Sequence, residues 1–431
     1  MKKIFTLLLV ILGCVGQAMA DNYIPVYIKM GSAWQTDNPR IAIYTWYTDG
    51  SGDSNQSWWS CTELSEGYWR GMFNATNCNR MIIARMNPNN STNSFDSGTC
   101  YNQSGNLNAP TLGTSFYYIG DEWSHNNPTA TSIEESGASY HTIYIRNKDT
   151  NDIPNLYTWF VWDSVDWPFN GVSNGTAMTS TTIEGETWYV YKTIETIFKC
   201  KILKSDGSSI TDDISLNLSD DVYYNYHPSD ATQSNRAKKL EKINKTNTSG
   251  YCTYVNTNAL TISDGAKAYY AVERTSPSNG CATAKLHMNP QANTPMLIKG
   301  SASHTYYFEI DAGGGTPISG GEINVFQPGT SDTEEYGLAS TDGEGHYNYI
   351  LNGDTFYAPN GKSVAVGKAY LQLGAAALAR PLIFSEDDDT GIDAIMNTSE
   401  KSNAYYNLSG QRIANPTKGL YISNGKKVVI R

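Results

Sequence analysis

Short runs in which apolar and polar residues alternate, bounded by Gly, Asn, Asp and Pro, recur along the whole chain. Alternation of period two sends one side chain in two to a core and the next to solvent, so each run predicts a half-buried β-strand. Strands are predicted over Tyr23–Met30, Ile41–Tyr47, Arg80–Arg85, His141–Arg146, Leu156–Val161, Thr187–Thr193 and Thr305–Ile310. No amphipathic helix of any length is predicted; the best helical stretch, Ala231–Ile243, reads as a linker. A barrel of alternating strands and helices does not fit such a pattern.

The strands repeat in order. Tyr27-Ile28-Lys29 recurs as Tyr144-Ile145-Arg146, Tyr44-Thr45-Trp46 as Tyr157-Thr158-Trp159, and Tyr68-Trp69 is echoed by Trp188-Tyr189. Each copy runs into an apolar strand, a loop rich in Asn, Ser and Asp, and a last aromatic strand, Phe116–Ile119 or Val222–Tyr226. The expected fold is all-β: tandem immunoglobulin-like β-sandwich modules over 21–120 and 140–230, a further β-rich domain over 251–384 and a short C-terminal β segment over 391–431. Ser385–Thr390 reads as an acidic, solvated linker. In the last segment Asn424-Gly425 stands between alternating apolar runs, the strongest short signal for a hairpin.

Both ends carry address-like features. Met1-Lys2-Lys3, the apolar run Ile4–Leu12 and Ala18-Met19-Ala20 read as a signal peptide over 1–20, with a mature chain beginning at Asp21. The competing reading takes Cys14 as a lipidated first residue. No later apolar run is long enough to span a bilayer, so no transmembrane span is expected in the mature chain. In an oxidising compartment Cys61, Cys78 and Cys100, which share one region, allow one disulfide and leave one cysteine over; no Cys-x-x-Cys metal spacing occurs.

Composition narrows the partner. The 431 residues carry Lys+Arg 31 against Asp+Glu 42, a net charge of -11, which disfavours nucleic acid because phosphate binding needs clustered cations. Only 17% of residues are charged, while there are 30 tyrosines and 10 tryptophans, so the surface depends on hydroxyls, amides and aromatic faces and suits a neutral ligand. The six histidines are scattered without metal-ligand spacing, and no nucleophile elbow, phosphate loop or dinucleotide fingerprint occurs, so no metal, no cofactor and no catalytic residue is expected. Carboxylates such as Glu184, Glu186, Asp212 and Asp213 offer no pairing beyond chance.

All ten tryptophans lie between Trp34 and Trp188. In a strand, residues i and i+2 share a face, so Tyr44 with Trp46 and Tyr157 with Trp159 form neighbouring aromatic pairs. On a core face they would be structural; on an open face they would make a platform for the apolar C–H face of a sugar. Trp58-Trp59, and Trp162 with Trp167, are expected in Gly-, Ser- and Asp-rich loops, where bulky rings lack a core.

One resemblance favours the platform. The stretch His141–Tyr226, with Thr142-Ile143-Tyr144-Ile145, Tyr157-x-Trp159, Gly175-Thr-Ala-Met178, Thr187-Trp188-Tyr189 and Ser205-Asp206-Gly207 followed by Thr211-Asp212-Asp213-Ile214, resembles the starch-binding carbohydrate-binding modules of families twenty-five and twenty-six. In that family a Trp-Pro-Gly precedes the Ala-Met and its Trp helps cradle the α-glucan. Here Ser173-Asn174-Gly175 stands in that place, and Trp167-Pro168 lies a few residues earlier. The first copy, Tyr23–Gly120, is similar to a divergent relative, with Trp59-Ser60-Cys61 where Trp-Pro-Gly would stand; its Ile82–Pro88 and Asn102–Gly105 resemble segments of modules found beside starch-binding ones. The resemblance implies starch or a related α-glucan as the partner, non-catalytic binding, and Tyr157, Trp159, Trp167, Tyr44, Trp46 and Trp59 as binding residues. The alternatives are a surface adhesin or scaffold for protein or host glycan, or a secreted glycoside hydrolase hidden in Tyr251–Phe384. The C-terminal Tyr405–Arg412, Pro416–Ile422 and Asn424–Val429 resemble the sorting domain of type nine secretion in exported Bacteroidetes proteins, which implies the outer-membrane secretion machinery as a second partner and a secreted or cell-surface location.

Overall fold

The computed structural model describes residues 23–65, 67–110, 116–120, 130–131, 137–162, 165–168, 175–273 and 282–375, and beyond them 382–383, 385–386, 405–406, 412–413, 418–423 and 426–430. Met1–Ala20, Cys14, Ser173-Asn174 and Asn424-Gly425 lie outside these residues. The fold is all-β, and the only helices among the described residues are short turns such as Ser32–Gln35 and Ser331–Glu335. The chain divides into two compact units, Met1–Leu240 and Glu241–Arg431.

The first unit holds two sandwiches of one topology. In the first, β1 (Tyr23–Met30), β4 (Thr62–Ser65), β5 (Tyr68–Asn74), β9 (Phe116–Ile119) and β10 (Ala130–Thr131) form one sheet. The facing sheet contains β2 (Arg40–Thr48), β3 (Asp53–Ser60), β6 (Arg80–Met86), β7 (Cys100–Gln103) and β8 (Leu107–Asn108). In the second sandwich β11 (His141–Asn147), β15 (Thr179–Ile183), β16 (Glu186–Thr193), β19 (Val222–Tyr226) and β20 (Ala237–Lys242) face β12 (Asn155–Trp162), β13 (Val165–Pro168), β14 (Thr176–Ala177), β17 (Ile197–Leu203) and β18 (Ile214–Asn217).

The repeat extends to register. β1 pairs antiparallel with β5 and parallel with β9, as β11 does with β16 and β19. Trp69 stands opposite Ile28, and Tyr189 opposite Ile145, at the same step of each copy. The inward faces of the central strands are apolar. Ile24, Val26, Ile28, Ile41, Ile43, Phe73, Met81 and Ile83 fill the first core, and Ile143, Ile145, Leu156, Phe198, Cys200 and Ile202 belong to the second.

Three expectations change. Ala231–Ile243 is not helical: after a single 3-10 turn at Gln233–Asn235 it becomes β20, because β19 offers an edge to pair with and Ala237, opposite Tyr226, packs on the second core. Trp58-Trp59 lies in β3, and Trp162 and Trp167 lie in β12 and β13, not in loops. Cys61, Cys78 and Cys100 are free thiols. Cys61 packs on the first core beside Gly71, while Cys78 and Cys100 meet the carbonyls of Asn55 and Asn102, so their sulfurs point to different neighbours.

The second unit contains two five-stranded sheets. Tyr269, Ala271, Leu297, Phe326, Phe356, Leu371 and Leu373 make a core between them. The other face of the sheet containing Tyr251–Val255 and Lys267–Glu273 is covered by a second cluster with Leu260, Met296, Ile298 and Phe308. Ser385–Glu386, expected in a solvated linker, is a strand beside Thr283 and Ala284. At the C-terminus Gly419–Ser423 pairs antiparallel with Lys426–Ile430, Ser423 opposite Lys426.

The two sandwiches of the first unit share a buried junction on the outer face of β1 and β5. Met72 of β5 belongs to the core cluster of the second sandwich, Tyr23 packs against that core, and Ile194 packs on Tyr27 and Phe116. Arg70 and Glu195, both buried, form an ion pair of 2.6 Å across it. Burial raises the Glu195 carboxyl and Arg70 opposes that rise. Removing one partner of a buried pair leaves the other charge uncompensated, at a cost of about 3–5 kcal/mol. Glu195→Ala is therefore expected to lower stability by that order in chemical denaturation; a loss under about 1 kcal/mol would show that the pair is dispensable.

Candidate functional site

β2 and β12 hold equivalent places, each between a strand on its left and a strand on its right in the same sheet: β3 and β6 flank β2, and β13 and β17 flank β12. Alternation sends Ile43 and the fully buried Thr45 inward and Tyr44 and Trp46 outward. In the second copy Leu156 and Thr158 are inward and Tyr157 and Trp159 outward. The ring centroids of Tyr44 and Trp46 are 5.6 Å apart with planes inclined at 32°; those of Tyr157 and Trp159 are 5.5 Å apart at 41°.

The two members of each pair differ in exposure. Trp46 is 6% exposed and Trp159 4%, so the indoles serve as floors, whereas Tyr44 and Tyr157 are half-buried and present ring surface. A floor indole contributes packing as well as shape, and its removal carries the cost of a core aromatic. Burial raises the Tyr44 hydroxyl above the usual tyrosine value, and the Asp53 carboxylate adds to the rise. That hydroxyl is therefore a neutral donor with a carboxylate in its surroundings.

Trp59 does not join Tyr44. It stands opposite the core residue Ile43, donates from Nε1 to Thr45 Oγ1 at 3.3 Å and meets Tyr23 edge-on at 5.5 Å. Its neighbour Trp58 is the residue opposite Tyr44, with centroids 5.1 Å apart at 52°. A one-residue step along a strand changes the face, so Trp58, and not the expected Trp59, shares the outer face with Tyr44. Phe95, from the loop after β6, completes the cluster at 4.6 Å from Trp58 and 5.0 Å from Tyr44. No periodicity marks a single aromatic in an Asn-rich loop. Trp167 is opposite Phe160, while Pro168 is opposite Trp159, so Trp167 stands one register step away from the Tyr157–Trp159 row.

Polar groups border the second pair. Lys201, opposite Tyr157 on β17, lies 5.9 Å from the Trp159 ring centroid and pairs with Asp213 at 3.1 Å. Both surfaces therefore combine inclined aromatic faces with polar groups near them, Asp53 in the first and Lys201 with Asp213 in the second, chemistry suited to stacking and hydrogen bonding.

No protein-family model matches the chain, and no curated protein matches it. Among solved structures it is similar to a family CBM26 module of Eubacterium rectale determined with maltoheptaose, at 14% identity over 47% of this chain and 92% of that one, TM-score 0.19. It is also similar to a streptococcal virulence factor described as binding α-glucan, at 13% identity over 48% of this chain and 93% of that one, TM-score 0.16. A third likeness is to family 41 carbohydrate-binding modules from streptococcal virulence factors, at 12% identity over 47% and 93%, TM-score 0.16.

Proposed function

We propose that the chain binds starch or a related α-glucan, without acting on it, at two aromatic surfaces of its first unit, as a secreted or cell-surface protein. The carrying observation is the duplicated Tyr-x-Trp pair, placed outward on equivalent strands with rings inclined by 32° and 41°. A flat β-1,4-linked glucan ribbon asks for coplanar rings, whereas a curved α-1,4-linked chain meets rings tilted toward one another. Aromatic contacts of this type contribute about 0.5–1.5 kcal/mol beyond area burial, so each site alone is weak and two linked sites gain through effective concentration. In affinity gels the full chain is expected to be retarded by amylose or glycogen and not by a soluble cellulose derivative. Tyr44→Ala and Tyr157→Ala should each weaken maltoheptaose binding at their own site roughly tenfold; retardation by the cellulose gel alone would refute the ligand class.

The export reading rests on Met1–Ala20 and on the C-terminal strands Gly419–Ser423 and Lys426–Ile430. In this reading the first sends the chain across the inner membrane and the second presents it to the outer-membrane secretion machinery. Deleting residues 404–431 is expected to leave a folded glucan-binding protein inside the cell envelope, protected from protease added to whole cells. Unchanged protease sensitivity would overturn the sorting role and favour lipidation at Cys14.

A further inference from the structure

The loop after β6 gives the outer face of the first sandwich an aromatic wall that the corresponding loop of the second does not supply. Loop 87–99 joins β6 to β7 and brings Phe95, 43% exposed, against Tyr44 and Trp58. The corresponding connection between β17 and β18, residues 204–213, contains no aromatic residue. The three rings of the first sandwich are mutually inclined at 52°, 52° and 76°, so Phe95 adds a third ring, set at an angle to the other two.

Hydrogen bonds from β2, to β3 and within the loop hold it in place. Arg40, the first residue of β2, spreads its guanidinium across it: Nε donates to the carbonyls of Asn87 and Asn90 at 3.2 and 2.8 Å, Nη2 to those of Asn90 and Thr92 at 2.5 and 2.8 Å, and Nη1 to Asn93 Oδ1 at 2.7 Å. Asn93 in turn donates to Ser60 Oγ at 3.1 Å, which ties the loop to the end of β3. Asn87 donates to the Gly98 carbonyl at 3.0 Å, and the backbone N–H groups of Thr99 and Cys100 donate to the Asp96 carbonyl at 2.9 Å. A loop so tied holds its ring before a ligand arrives, and binding then loses less conformational entropy.

We propose that Phe95 contacts the bound glucan as a third wall of the first site, and that Arg40 is the positioning residue that holds this wall in place. The proposal rests on the reading of this face as a glucan site. It gives the first site an aromatic contact from a loop whose counterpart in the second sandwich, residues 204–213, carries no aromatic residue.

The test uses the full chain carrying Tyr157→Ala, so that the first site is read, with maltoheptaose and cellohexaose as probes in calorimetric titrations and a thermal melt of every variant. Phe95→Ala is expected to weaken maltoheptaose binding about tenfold without moving the melt, and Phe95→Trp to restore it. Arg40→Ala should weaken binding by a similar factor, and Arg40→Lys should recover little, because a point ammonium cannot span donors fanned over four loop groups. In the Phe95→Ala background the Arg40→Ala effect should vanish, which a general loss of folding would not produce. Parent-like binding by Phe95→Ala alongside loss in Tyr44→Ala would overturn the role of Phe95. Additive effects of the two variants would overturn the positioning role of Arg40. Absence of maltoheptaose binding by the unaltered chain would instead remove the glucan reading beneath both.

Discussion

Everything on the two aromatic surfaces depends on the two-residue period of a strand held between neighbours. Because β2 and β12 are interior to their sheets, their inward positions are committed to Ile43 and Thr45 or to Leu156 and Thr158, and the residues between them have one direction left. Shifting either strand by one residue would put two rings into the core and an apolar side chain with a threonine on the surface. The core thus sets the register, and the register aims the rings.

A second constraint is the sharing of labour between the two sheets of the first sandwich. Its β1–β5 sheet uses its outer face for the junction with the second sandwich, through Tyr23, Tyr27, Arg70 and Met72. Its β2–β3–β6 sheet keeps its outer face for Tyr44, Trp46 and Trp58. Ala42, Ala84 and Met86, fully buried on that same outer face, form a small cluster with Trp58 and Cys100 packed against it. This face is consequently partly covered, with Trp46 6% exposed and Phe95 43% exposed.

Much of this was legible in the sequence because it is local. Alternation located Tyr23–Met30 to the residue, and the order of the Tyr-x-Trp and Tyr-Trp or Trp-Tyr pairs revealed two copies of one sandwich. Four things were not local. Trp58 and Trp59 are consecutive, and only pairing with Tyr44 and Ile43 decides which faces out. Phe95 owes its place to Arg40, far earlier in the chain, and Arg70 meets Glu195 across 125 positions of sequence. Ala231–Ile243 follows the free edge of β19 and not its own composition, a tertiary demand that outweighs local propensity. The ring of Trp159 was expected to be open, and strand periodicity gave its direction without its 4% exposure.

The central claim is that the chain carries two separate glucan sites at equivalent places, built on β2 and β12. Calorimetric stoichiometry with maltoheptaose tests it most directly. Two molecules bound per chain, with one of the two sites weakened roughly tenfold in either single tyrosine variant and both weakened when both tyrosines are replaced, is the expected result; a single site untouched by both replacements would contradict it.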